Sequence, residues 1–189
     1  ANEEHAEMLA AMFSPEALEY FQEFRKSGPT PVLQQEFEDL FRVPGPWYTT
    51  PYESVFMDSR EIAGKEVGGL LHGKSAHEVE KLYRRFGLRI SPATPELPDY
   101  IGAELSFMSH LAGLSTKPET GFEPEKLRET QLSFIEKHLG RWLPLYAKRL
   151  EGRAQSGFYK GIARLLEEFI QKDFEFLGSA AESCHSTSK

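Results

Sequence analysis

The run Gly68-Gly69-Leu70-Leu71-His72-Gly73-Lys74-Ser75 satisfies the phosphate-loop pattern G-x-x-x-x-G-K-[ST]. In such a loop the glycines let backbone N–H groups turn onto phosphates, the lysine meets the β- and γ-phosphates, and the hydroxyl holds magnesium. A chain using it would be a nucleotide-binding phosphotransferase. That chemistry needs a buried strand ahead of the loop, and residues 59–67, Ser-Arg-Glu-Ile-Ala-Gly-Lys-Glu-Val, are too polar for one. No later apolar run ends in an aspartate suited to magnesium. A glycine-rich turn with Ser75 capping the next helix accounts for the same residues and is the preferred reading.

Other reactive constellations are thin. Glu182-Ser183-Cys184-His185 is the sole Glu-x-x-His pair in the sequence, whereas a di-metal helical bundle needs two of them facing inward. His110 and His138 fall on amphipathic segments and read as core-edge residues, while His72 and His77 flank a turn. The lone Cys184 excludes a disulfide framework and a Cys-based zinc or iron–sulfur site. No metal, cofactor or covalent catalysis is expected.

Two groups suit recognition better than reaction. Glu96, Asp99 and Glu104 gather around a proline-rich entry to a helix, and Trp47, Tyr52 and Phe56 share a proline-broken stretch. Carboxylates take guanidinium groups bidentately, and a ring-lined groove takes an apolar helix or peptide. Asp99 also stands where an N-cap would. The late cluster Arg141, Lys148, Arg149, Arg153, Lys160 and Arg164 reads as a solvated helix face.

The elements that must position these groups are helical. Leucine outnumbers valine plus isoleucine 21 to 11, a balance that favours helix over sheet. After Ser75-Ala76-His77-Glu78, a capping-box pattern, Val79, Leu82, Tyr83 and Phe86 recur at helical spacing up to Gly87. Ser14-Pro15 and Thr30-Pro31 each pair a capping hydroxyl with a first-turn proline. Further stripes are Leu33, Phe37, Leu40 and Phe41; Ile101, Leu105, Met108 and Ala112, closed by Gly113; and Leu127, Phe134, Ile135 and His138, closed by Gly140. A last helix is predicted over 156–177. Residues 43–59 and 91–98 are read as long irregular connections, which inside compact domains tend to be functional. The expectation is an all-α, single-domain bundle over 1–177 with a disordered tail over 178–189.

A net charge of −7 argues against nucleic acid as the main partner and for a basic one. No apolar run approaches a membrane span. The polar start Ala1-Asn2-Glu3-Glu4-His5 is unlike a signal peptide, so a cytoplasmic protein is expected.

Taken in order, Pro51-Tyr52-Glu53-Ser54-Val55-Phe56-Met57-Asp58, the Val79/Tyr83/Gly87-Leu88 helix, Pro98-Asp99-Tyr100-Ile101 and Glu104-Leu105-Ser106-Phe107-Met108 resemble the TorD/DmsD/NarJ family of redox-enzyme maturation chaperones. Phe134 to Pro144 and Phe158-Tyr159 look like that family's C-terminal helices. The resemblance covers about residues 5–177. It implies an all-helical cytoplasmic chaperone, without catalysis, holding the twin-arginine leader or N-terminus of a molybdenum-containing reductase subunit until its cofactor is inserted. It places peptide binding at Phe56, Pro98, Asp99 and Tyr100; the family commonly has histidine where Tyr100 stands. With that partner, Asp99 and Glu104 become the expected guanidinium ligands, and Trp47, Tyr52 and Phe56 the apolar wall. A monomer or a dimer swapped through the 91–98 hinge is expected.

Overall fold

The computed structural model of the chain describes residues 13–62, 65–93, 96–117 and 121–186; the polar start at residues 1–5 lies outside them. The fold is all-α. The helices are α1 (Pro15–Glu19), α2 (Gln22–Ser27), α3 (Pro31–Phe37), α4 (Glu53–Met57), α5 (Lys74–Arg85), α6 (Ile101–Ser115), α7 (Pro124–Phe134), α8 (Gly140–Arg153) and α9 (Gly157–Ser186). Two short π-helical stretches, Glu38–Arg42 and Ile135–Leu139, follow α3 and α7. Among the described residues one hairpin, β1 (Arg60–Ile62) with β2 (Lys65–Val67), pairs antiparallel in the register Arg60↔Val67. The chain packs as two compact units, residues 1–50 with 143–173 and residues 51–142 with 174–189, where the sequence suggested one. The last helix also runs on to Ser186, past the boundary expected at Leu177. Ala180, Ala181 and Glu182 are strong helix formers, which favours that extension over a coil.

In the first unit, the two predicted hydroxyl–proline starts are present. Ser14 Oγ accepts the Ala17 N–H at 3.1 Å and Thr30 Oγ1 accepts the Leu33 N–H at 3.3 Å. The α3 stripe is only half realised: the π-helical stretch after Phe37 shifts the phase, so Leu40 is buried while Phe37 stays exposed. Ala17, Leu40, Tyr146, Leu150, Tyr159 and Ala163 form the core. Close approach is built on Gly157 and Gly161, where a Cβ would lie 2.9 Å from the Tyr20 carbonyl and 2.6 Å from the Phe21 ring. The start of α9 is capped by Ser156, whose Oγ accepts the Tyr159 N–H at 3.4 Å. The residues leading into it are held by Glu36 Oε1, which accepts the N–H groups of Gln155 and Ser156 at 2.7 and 3.0 Å.

The second unit is centred on Phe107, whose ring meets those of Tyr83, Phe86 and Phe134 at centroid distances of 4.9, 5.7 and 5.0 Å. Ala76, Val79, Met108, Leu111, Leu127, Leu139 and Trp142 complete the core. Burying each of the larger side chains stabilises the fold by ~1.5–3 kcal/mol. On α6 the buried stripe is Glu104, Phe107, Met108 and Leu111. It therefore lies one step round the helix from the expected Ile101, Leu105 and Ala112, because a carboxylate occupies an inward position. Gly113 lies inside α6, and Gly140 opens α8 instead of ending a helix. The π-helical stretch before Gly140 carries the chain through.

Candidate functional site

The segments around Tyr52 and Tyr100, expected to be irregular, are stitched together as a short antiparallel bridge. Ile101 N–H donates to the Pro51 carbonyl and Glu53 N–H to the Asp99 carbonyl, both at 3.0 Å. Asp99 Oδ2 then accepts the Ser54 N–H at 2.9 Å. Asp99 is thus an N-terminal cap, but for α4 and not for the helix that follows it in sequence. Its side chain is 0% exposed.

Behind this cap lies a buried polar cluster. His138 Nδ1 meets both oxygens of Glu53, at 3.1 and 2.9 Å. The Trp142 indole N–H donates to Glu104 Oε2 at 3.0 Å. Tyr83 donates its hydroxyl proton to the Pro98 carbonyl at 2.9 Å. Burial, and then the charges of Glu104, Asp99 and Glu53, push the Tyr83 phenol far above its ordinary range, so it stays neutral. Glu104 is 0% exposed, and its carboxyl is pushed well above the usual range, first by burial and then by the neighbouring Glu53 charge; the Trp142 bond opposes this. The other oxygen, Glu104 Oε1, is buried and no donor among the described residues reaches it. That is the oxygen a retained proton would occupy, in keeping with the raised carboxyl.

The residues expected at the site are therefore divided. Asp99, Glu104 and Pro98 are buried, so the two carboxylates expected on guanidinium groups are engaged inside the protein. Tyr52, Tyr100 and Phe56 are partly exposed. Tyr52 and Tyr100 face each other at 5.7 Å between ring centroids, and the Tyr52 hydroxyl donates to Glu96 Oε2 at 2.9 Å. Burial, followed by the charge of Glu96, raises the Tyr100 phenol. Phe56 packs on Trp142 at 5.7 Å. Trp47 belongs to the first unit. It is 45% exposed and lines a concavity of about 450 Å³ with Val32, Glu23, Glu36 and Asp39. The sequence missed Glu53 and His138 as partners: 85 residues separate them, and only the helical phase of His138 hinted that it faces inward.

The glycine-rich run has a structural reason. A Cβ on Gly69 would lie 1.8 Å from the Ser54 carbonyl oxygen, and one on Gly73 2.3 Å from Asp58 Oδ2. The glycines let this turn lie against Asp58, whose carboxylate accepts both the Ser75 N–H (2.9 Å) and the Ser75 hydroxyl (2.8 Å). Gly73 is the N-cap of α5, so Ser75 is capped and does not cap. A carboxylate thus holds the helix start that a phosphate would need. Lys74 is exposed and pairs with Glu78 at 3.5 Å. Only the three-residue strand β2 precedes the turn. The nucleotide-binding reading loses its footing here. Asp58→Ala is expected to cost about 1–2 kcal/mol in urea unfolding, with Asp58→Asn losing less. Loss of nucleotide binding without loss of stability would instead restore the phosphate-loop reading.

Among the described residues no group of three or more His, Cys, Asp or Glu could hold a metal ion, and no helix is long and apolar enough to cross a membrane. The side chains of the Glu182-x-x-His185 pair lie outside the described residues.

The helical fold and this capped, carboxylate-backed turn go with a defined class. The nitrate reductase delta subunit family matches residues 5–148, and the chain belongs to that family. It is 31% identical over 153 residues to the chaperone protein TorD of Vibrio cholerae serotype O1, covering 81% of this chain and 66% of that relative. It is 30% identical over 145 residues to TorD of Vibrio parahaemolyticus, covering 77% and 64%. The chain therefore spans just under two thirds of these relatives. No solved structure matches it.

Proposed function

We propose that the protein is a cytoplasmic chaperone that binds the twin-arginine leader or N-terminus of a molybdenum-containing reductase subunit and assists its cofactor insertion and assembly, without catalysis. Relatives named as chaperones support the general role. The observation that carries the peptide reading is the rim formed by Tyr52, Tyr100 and Glu96. Two ring faces beside a carboxylate suit a guanidinium group, which stacks on rings and bonds carboxylates in its plane. Buried Asp99 and Glu104 act one step back: Asp99 holds the two tyrosine segments together and Glu104 anchors the helix beneath them. Phe56 offers apolar surface beside the rim. In the first unit, Trp47 and Val32 offer apolar surface to a leader residue in a concavity that Glu23 and Asp39 line together with Arg153.

Calorimetry with a synthetic leader peptide tests this. Binding is expected to weaken when Arg-Arg becomes Ala-Ala. Glu96→Gln is expected to cost roughly 0.5–1 kcal/mol, as befits a partly exposed charge. Equal affinity for the Arg-Arg and Ala-Ala peptides would overturn the reading.

A further inference from the structure

In the second unit a groove of about 530 Å³ opens between α5 and α7. Its floor includes Phe86, Phe122 and Phe134, and its rim carries Arg85, Lys126 and Lys137. Phe122 is 39% exposed, and its ring lies 5.4 Å from that of Phe86, so the floor is apolar yet open. The rim is cationic in a chain of net charge −7. Among the described residues Glu129 is the one acidic residue lining the groove, and it pairs with Lys126 at 3.3 Å. Arg85 and Lys137 make no ion pair with any described residue. The combination of an apolar floor with two cations that no described carboxylate pairs is complementary to an acidic segment carrying an apolar side chain.

We infer that this groove binds a peptide segment in which acidic residues flank an aromatic or aliphatic side chain. The apolar residue would enter over Phe86 and Phe122, where burial of ring surface supplies affinity. The flanking carboxylates would meet Arg85 and Lys137, adding orientation and salt-sensitive attraction. The site is chemically opposite to the tyrosine rim, which suits a basic partner, and the inference stands independently of the leader reading. The two surfaces are also linked. His138 lines the groove and its Nδ1 holds Glu53, whose N–H is bonded to the Asp99 carbonyl beneath the tyrosine rim. One client could thus present a basic and an acidic segment to the same unit.

The test is fluorescence anisotropy with the labelled peptide Asp-Glu-Phe-Asp-Leu-Glu, its Asn/Gln analogue and its Lys-substituted analogue, titrated with the full chain. The acidic peptide alone is expected to bind saturably, more weakly as salt rises. Arg85→Glu with Lys137→Glu is expected to weaken it roughly tenfold or more, and Phe122→Ser by about fivefold, each with an unchanged circular dichroism spectrum. Equal binding of the Asn/Gln analogue, no saturable binding, or indifference to the double charge reversal in a folded variant would overturn the proposal. So would a self-association of the free protein that the charge reversal abolishes, since the occupant would then be a second copy.

Discussion

Glu104→Gln is expected to leave the protein about as stable as the parent at neutral pH, while Glu104→Ala is expected to lose about 2–5 kcal/mol. The difference follows from the proton that Glu104 holds. A neutral glutamic acid accepts from the Trp142 indole with one oxygen and carries its proton on the other, which no described donor reaches. Glutamine reproduces both roles with its carbonyl and its amide. Alanine leaves the indole N–H buried without an acceptor and opens a hole beside Trp142, which is fully buried. The pH dependence separates the variants further. Glu104 is pushed up in the folded state, so the native protein keeps a proton that the unfolded chain releases in the ordinary glutamate range. The protonated form's stabilising contribution is complete below that range. It declines as pH rises toward the raised folded value and levels off above it. Urea unfolding followed across pH should show that decline in the parent and not in Glu104→Gln. Parallel pH profiles for the two would mean that Glu104 is ionised in the native protein.

The second large effect concerns the Glu53–His138 pair. The side chains of both are almost fully inaccessible. Removing either partner leaves the other group buried and uncompensated, so His138→Ala is expected to cost about 3–5 kcal/mol. Glu53→Ala should cost a similar amount, since it leaves the buried imidazole without its partner. The double replacement by apolar residues of similar size, Glu53→Met with His138→Leu, is expected to be less costly than either alanine variant. A buried polar pair contributes little net stability over well-packed apolar side chains, although orphaning one member is expensive. The introduced leucine would keep contact with Phe134, whose ring now lies 5.0 Å from the imidazole. Additive losses in chemical denaturation would show instead that the two residues act independently.

Much of the architecture is legible in the residues. Ser14 and Thr30 announce their helices because a hydroxyl three residues before an orphan N–H is a local device. The tyrosine and proline residues at 51–52 and 98–100 stand where ordinary helical grammar fails, and the structure bridges these two segments. What stayed hidden is non-local. Asp99 and Ser75 were each assigned to the cap nearest in sequence. Instead, Asp99 closes α4, 45 residues away, and Asp58 closes α5 from 17 residues away. Glu104 reads as a guanidinium ligand, because no spacing rule announces that a carboxylate will be buried against a tryptophan. The acidic surplus that argued for a basic partner is partly internal: Glu36, Glu53, Asp58, Asp99 and Glu104 all serve the structure.

Those distant caps bear on how the chain reaches its fold. Helical proteins usually fold fast because their contacts are local, and each loop closed before it is rewarded slows the search. Here the first turns of α4 and α5 wait on carboxylates from elsewhere in their unit, and the two residues that lead into α9 are held by Glu36, 119 residues upstream. The last helix has a cap of its own, Ser156 Oγ accepting the Tyr159 N–H at 3.4 Å, but α4 and α5 do not have a finished beginning of their own. Their completion is therefore tied to closure of the surrounding unit, which couples the start of each helix to tertiary contacts.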